Sequence, residues 1–138
     1  MQFFNYFRGF GAIIVGILGF LFGAGTPLLY ALLGFIVIDY VTGVMRAGVE
    51  HKLSSEVGAK GIIKKVVIVL IVSVAHLVDA AVIKEGNTMQ CMVAFFYLAN
   101  EGLSILENAV ALGLPVPKGL EKMLIQLRDK ENAGTSAK

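Results

Sequence analysis

The sequence predicts an all-α integral membrane protein with about four transmembrane helices and a short C-terminal amphipathic helix. Of its 138 residues, 57% are hydrophobic and only 16% are charged. Soluble domains contain about 45–50% apolar and about 25% charged residues. The apolar excess is concentrated in long blocks, and about 20 consecutive apolar residues are enough for a helix to cross a bilayer.

One long apolar block provides the first two helices. It begins with 30 uncharged residues after Arg8. Pro27 divides the block, because proline is tolerated in the first turn of a helix but breaks its interior. We therefore predict helices at about 9–25 and 27–47. A signal peptide is the competing interpretation of the first helix, but the single basic residue before it favours a retained membrane helix.

The next two helices are separated by polar segments. Residues 48–60 are polar and predict a loop. Apolar helices are then expected at about 61–83 and 89–112, with a short turn between them. Two prolines end the apolar part of the chain, so we expect a transmembrane helical domain over residues 1–112.

The last predicted helix, at about 118–130, differs from the others. Leu120, Met123, Leu124 and Leu127 are spaced i, i+3, i+4, i+7, which indicates an amphipathic helix. It is too short and too charged to cross a bilayer. We therefore expect residues 113–138 to form a cytoplasmic amphipathic helix and tail.

The distribution of basic residues predicts the orientation. Loops that stay in the cytoplasm are enriched in Lys and Arg. With four crossings, one side of the membrane has only Lys84, so we expect both termini in the cytoplasm. The other side has 11 basic residues: Arg8, Arg46, Lys52, Lys60, Lys64, Lys65, Lys118, Lys122, Arg128, Lys130 and Lys138.

The fourth helix is too polar to be stable alone in lipid. Its nine Leu, Ile, Val and Phe residues contribute about −4 kcal/mol to insertion, and a central acid such as Glu101 opposes this with about +2.5 to +3.5 kcal/mol. We predict that its polar side chains line a pore or form a polar helix interface. At 100° per residue these side chains share an arc of about 120°: Tyr97, Asn100, Glu101, Ser104, Glu107 and Asn108.

The third helix repeats this design, because Lys65, Ser73, His76 and Asp79 share one arc. We assign Ser73, His76 and Asp79 to the same pore lining or polar interface. A structural alternative stays open, because the i, i+3 spacing lets His76 and Asp79 bond to each other. On the second helix, Asp39 needs a partner, either Arg46 through water or Lys65.

The first helix has a stripe of small residues, Ala12, Gly16, Gly19 and Gly23, spaced i, i+4, i+7, i+11. Such stripes allow helices to approach closely in membranes, so we predict a helix-packing role. The general enrichment of glycine in membrane helices explains the same pattern.

The composition argues against several other classes. Ser73, His76 and Asp79 have the residue types of a catalytic triad but are stacked along one helix, so we expect no enzyme activity. No second histidine stands at metal-ligand spacing, and we expect neither a metal nor a cofactor. The net charge of +2 is too small to indicate nucleic-acid binding.

Three segments carry a family resemblance: "DYVTGVMRAGVEHKLSSEVGAKGIIKKV" (39–66), "VAHLVD" (74–79) and "FFYLANEGLSILENAVALGLPVPKGLEKML" (95–124). Together they resemble the toxin-secretion and phage-lysis holin family of Gram-positive phages and clostridia. The resemblance covers about residues 39–128. It supplies no catalytic residues.

The resemblance implies a small protein that accumulates in the bacterial cytoplasmic membrane, forms homo-oligomers and opens lesions at a set time. A murein hydrolase, or a toxin in some relatives, then crosses without needing direct contact with the holin. The residues alone leave two alternatives open: a small ion or proton channel, and a scaffold subunit of a larger membrane complex.

Overall fold

A computed structural model describes the backbone of residues 2–135 and the side chains of residues 8–126 and 129. The described chain is all-α, as predicted. The elements in order are α1 (Gln2–Phe22), α2 (Pro27–Val49), α3 (Ser55–Val78) with a π-helical turn (Asp79–Ile83), α4 (Thr88–Ala111) and α5 (Lys118–Thr135). Helices α2, α3 and α4 are long and apolar enough to cross a membrane, and the part of α1 over Arg8–Phe22 is a shorter apolar segment.

The start of α2 follows directly from its sequence. Pro27 occupies the first turn, and the Oγ1 atom of Thr26 accepts the N–H of Leu29 at 3.2 Å. This capping bond satisfies one of the amides that have no partner within the helix. The predicted break between the first two helices is therefore confirmed.

The start of α3 corrects a prediction. The segment 48–60 was expected to be a loop, but the helix begins at Ser55. Ser54 caps it, with its Oγ accepting the N–H of Val57 at 3.2 Å, and Glu56 pairs with Lys60 on the next turn at 2.7 Å. The prediction placed the start of the helix where the apolar residues begin. The polar residues before them also form helix, because a capping bond and an ion pair stabilise this first part.

The connection between α2 and α3 is held by Glu50. Its carboxylate accepts bonds from Arg46 at 2.8 Å and Lys52 at 2.9 Å. These two cations, Arg46 first, lower the pKa of Glu50 below its ordinary value. Both ion pairs therefore lie within residues 46–52, at the end of α2 and the start of the loop.

Helix α4 is the centre of the bundle and packs against α2, α3 and α5, whereas α1 packs against α3. At the α5 contact, a Cβ on Gly102 would lie 3.0 Å from Leu124 Cδ1, so the missing side chain lets α5 approach α4. The apolar core between α2, α3 and α4 consists of Leu29, Leu32, Ile36, Ile68, Val72 and Ala94.

Candidate functional site: a buried ion cluster between three helices

Three ionisable side chains from three different helices meet inside the bundle. The Nζ atom of Lys65 on α3 donates to Asp39 Oδ2 on α2 at 2.5 Å and to Glu101 Oε2 on α4. The side chains of Lys65, Asp39 and Glu101 are 17%, 9% and 6% exposed. One ammonium group thus joins two carboxylates that are largely shielded from the surroundings. We call these three residues the ion cluster.

Polar neighbours on α2 and α4 surround Asp39. The Nδ2 atom of Asn108 donates to Asp39 Oδ1 and to Thr42 Oγ1, each at 3.1 Å. Thr42 in turn donates to the Asp39 main-chain carbonyl at 3.1 Å. Of the described residues, only Lys65 donates to Glu101. The two carboxylates therefore differ, since Asp39 accepts side-chain bonds on both of its oxygens and Glu101 on one.

The ion cluster lies near the middle of the bundle. Asp39 is ten residues before Val49, Lys65 is ten residues after Ser55, and Glu101 is ten residues before Ala111. At 1.5 Å per residue, each is about 15 Å from that end of its helix. The three helices therefore bring their charges to one level of the bundle, on the side of the α2–α3 loop.

A second polar group involves Asp79 and lies at the end of the bundle where α3 connects to α4. This residue is 1% exposed, and its two oxygens accept the N–H groups of Met89 at 2.9 Å and Gln90 at 2.8 Å. Asp79 therefore caps the first turn of α4 from the π-helical turn that follows α3. The bond between His76 and Asp79 that their spacing suggested is not formed, because both Asp79 oxygens face α4.

His76 lies where α1 meets α3. A Cβ on Gly23 would lie 2.5 Å from His76 Cε1, so the ring packs directly on the glycine. The Nδ1 atom of His76 is buried without a hydrogen-bond partner among the described residues. Nearby, Gln90 Nε2 donates to the carbonyl of Phe22 at 3.1 Å. These contacts hold the C-terminal end of α1 against the bundle.

The remaining polar residues of α4 are divided between two grooves. Asn100 and Ser104 are half-buried and line a groove of about 530 Å³ between α3 and α4, which also reaches Lys64 and the ion cluster. Glu107 is exposed in a separate groove with Arg46. The predicted stripe is thus divided, with Glu101 and Asn108 inside the bundle and the other residues at its surface.

The family model of the bacteriophage holin family matches residues 16–129. The chain belongs to the bacteriophage holin family. The membrane-length helices and the resemblance found in the sequence agree with this assignment.

Relatives of this holin-family chain occur in several bacteria. An uncharacterized protein of Listeria monocytogenes is 44% identical, with 85% of this chain and 80% of the relative covered. A 14.9 kDa protein in the nagH 3′ region of Clostridium perfringens is 39% identical, with 92% and 96% covered. The protein YtkC of Bacillus subtilis is 30% identical, with 88% and 90% covered. No solved structure matches the chain.

The small-residue stripe of this holin-family protein lies mostly apart from the bundle. Ala12, Gly16 and Gly19 are exposed, and a Cβ on either of these glycines would meet nothing within 4 Å. Only Gly23 packs closely, against His76. A packing role for the first three residues therefore stays a prediction for contacts between copies.

Ser73 is the last of the predicted polar residues of α3. Ser73 is buried and donates to the carbonyl of Val69 on its own helix at 3.0 Å, so it joins neither polar group. Among the described residues, no group of three or more His, Cys, Asp or Glu side chains could hold a metal ion.

Two residues of these polar groups, Thr42 and Gln90, are not among the predicted site residues. Thr42 stands one turn after Asp39, a spacing that places both on one helix face. Gln90 is a polar residue in the first turn of a membrane-length helix, which is itself a signal of a specific partner.

Proposed function

We propose that this chain acts as a holin in the bacterial cytoplasmic membrane. It accumulates there as a homo-oligomer and opens lesions through which a murein hydrolase or a toxin crosses, which sets the time of host lysis. Membership of the holin family supports this function. The observation that carries the proposal is the polar groove of Asn100 and Ser104 next to the ion cluster, on helices long enough to cross the membrane.

The groove is costly where it faces hydrocarbon. Side-chain amides and hydroxyls need hydrogen-bond partners when they leave water, and lipid tails provide none. Contacts with another copy of the chain satisfy them while the protein is dilute. In crowded assemblies the same face turns to line water, with Asn100, Glu101, Ser104, Glu107 and Asn108 as lining and the apolar faces toward lipid.

The orientation in this proposal places both termini in the cytoplasm. Lys65 belongs to the ion cluster and not to a loop, so it leaves the predicted count of 11 basic residues. The asymmetry is then ten to one, with Lys84 on the outer side. This bias still strongly favours cytoplasmic termini. The partners are the lipid bilayer and further copies of the chain, and the link to the hydrolase needs no direct contact.

The test is induced expression in a bacterium, with and without a murein hydrolase that lacks a signal sequence. Turbidity and membrane potential are followed together. We expect abrupt depolarisation in both cultures and lysis only where the hydrolase is present. An absence of lysis with the hydrolase, at matched membrane levels of the protein, would contradict the proposal.

A pair of variants on α4 sharpens the test. Ser104→Leu fills the polar groove with an apolar side chain, and we expect it to delay or abolish lysis without reducing membrane insertion. Phe95→Leu, at an exposed apolar position of the same helix, is the matched control and should keep normal timing. Equal timing for the two variants would show that the groove has no part in lesion formation.

The same experiment addresses the alternative of a small ion or proton channel. Its ionisable groups are not continuous in the described protomer, because His76 is eleven residues from Lys65 along α3, about 16 Å. Depolarisation with no lysis in the presence of the hydrolase would favour this alternative.

A further inference from the structure

The ion cluster contains one more carboxylate than it has cations. Asp39 and Glu101 both accept bonds from the same Nζ atom, so their oxygens are at most two hydrogen-bond lengths apart. Fully ionised, these three largely buried side chains carry a net charge of −1 inside the bundle. An unpaired charge in a low-dielectric interior is so costly that such groups take up a proton instead.

The other groups that face the cluster do not balance this charge. From α2 they are Tyr40 and Thr42; from α3, Lys64 across the groove; and from α4, Tyr97, Asn100, Ser104 and Asn108. The side chain of Lys64 is exposed and makes no ion pair with any other residue whose side chain the structure describes. Arg46 is bonded to Glu50 at the helix end. α1 meets α4 at Phe22, more than two turns from Glu101 along α4, and α5 meets α4 through the apolar Leu124 at Gly102.

The two carboxyl groups differ in the hydrogen bonds that they accept. Asp39 accepts from Asn108 on one oxygen and from Lys65 on the other, and donors that face a carboxylate stabilise its charge. Glu101 accepts from Lys65 alone, and it borders the groove. With a proton on Glu101, Lys65 and Asp39 form an ordinary pair of opposite charges and the cluster becomes neutral.

We propose that the ion cluster is a binding site for a single proton, which is held by Glu101 when the three helices are packed as described here. The groove of Asn100 and Ser104 is the route by which water reaches this proton. Loss of the proton leaves a buried negative charge that separation of α3 from α4 relieves by admitting water. This last coupling rests on the proposed function, whereas the proton site itself does not.

The charge count makes a distinctive prediction for infrared spectroscopy. The protein reconstituted in phosphatidylcholine vesicles should show the carbonyl absorption of one buried protonated carboxyl group at neutral pH. Glu101→Gln should abolish this absorption. Asp39→Asn should abolish it as well, because the remaining Glu101 then pairs one-to-one with Lys65. Lys65→Gln should double it, since two carboxyl groups then lack a cation.

Glu107→Gln is the matched control, because it removes an exposed carboxyl group from the same helix. It should leave the absorption unchanged. Absence of a protonated carboxyl group in the native protein, or a signal that survives both Glu101→Gln and Asp39→Asn, would overturn the proton site. Both of these variants keep one carboxylate for one ammonium, so neither leaves an unpaired charge that would prevent folding.

Dye release from the same vesicles tests the coupling separately. Release by the native protein should increase as the pH is raised from about 5 to about 9, because the proton is then lost. Glu101→Gln should show little release and no pH dependence, since its amide mimics the protonated acid. Equal pH dependence in both proteins would contradict the coupling. An absence of release from the native protein at every pH would instead contradict the holin function and leave the infrared result standing.

Discussion

Replacing Lys65 by methionine should strongly destabilise the folded protomer. The substitution keeps a long apolar stem but removes the ammonium group that joins Asp39 to Glu101. Removing one partner of a buried ion pair costs about 3–5 kcal/mol, because the remaining charge has no compensation. All three side chains are less than one-fifth exposed, so screening by solvent reduces this figure little.

The measurement is unfolding by sodium dodecyl sulfate in mixed micelles, followed by circular dichroism. Lys64→Met is the matched control, because Lys64 is the preceding residue on α3 and is exposed. Its effect should stay within about 0.5 kcal/mol, as for most surface substitutions.

A triple variant tests whether the lost stability comes from the uncompensated charges. Adding Asp39→Asn and Glu101→Gln to Lys65→Met removes every charge from the cluster, and neutral replacement of a whole buried ion group is often tolerated. We expect the triple variant to recover most of the lost stability. Two results would contradict a stabilising role of Lys65 as the cation of the cluster: Lys65→Met being no less stable than Lys64→Met, or the triple variant being less stable than Lys65→Met alone.

Two further predictions concern the end of the bundle where α3 connects to α4. Gly23→Ala should cost about 1–2 kcal/mol, because Gly23 has a φ of +68° and a Cβ there would overlap His76, whereas Gly19→Ala, which meets open space, should be neutral or slightly stabilising in the same micelle assay. Equal effects of the two alanines would contradict this account. Asp79→Ala should cost about 1–2 kcal/mol by removing the cap of α4, and it should speed amide hydrogen exchange in the first turn of that helix. The exposed Glu85→Ala serves as its control, and unchanged exchange in Asp79→Ala would show that the cap contributes nothing.

Much of the fold could be predicted because hydropathy and proline determine where membrane helices begin and end. Pro27 marked the start of α2, and the apolar blocks located α3 and α4 to within a few residues at most ends. The start of α3 was missed because hydropathy does not detect a polar first turn. Ser54 provides a cap and Glu56 an ion pair there. Hydropathy does not distinguish these two residues from the loop residues of the same polar segment.

The candidate site was only partly predictable. Helical periodicity placed Glu101 and Asn108 on one face of α4, and depth along the helices made Lys65 a reasonable partner for Asp39. Periodicity gives the face of a residue but not the neighbour that the face meets. His76 and Asp79 share a face of α3, yet Asp79 bonds to α4 and His76 packs on Gly23. Such pairings depend on how far the helices are rotated against each other, which no single helix encodes.

The attachment of α1 has a consequence for how this protein tolerates sequence change. Its contacts are concentrated at Phe22 and Gly23, and the side chains of residues 12–20 are exposed. The family match likewise begins only at residue 16, within this helix. Substitutions in the earlier turns of α1 should therefore leave the three-helix assembly around Lys65 intact, so that any constraint on those turns comes from contacts outside the protomer.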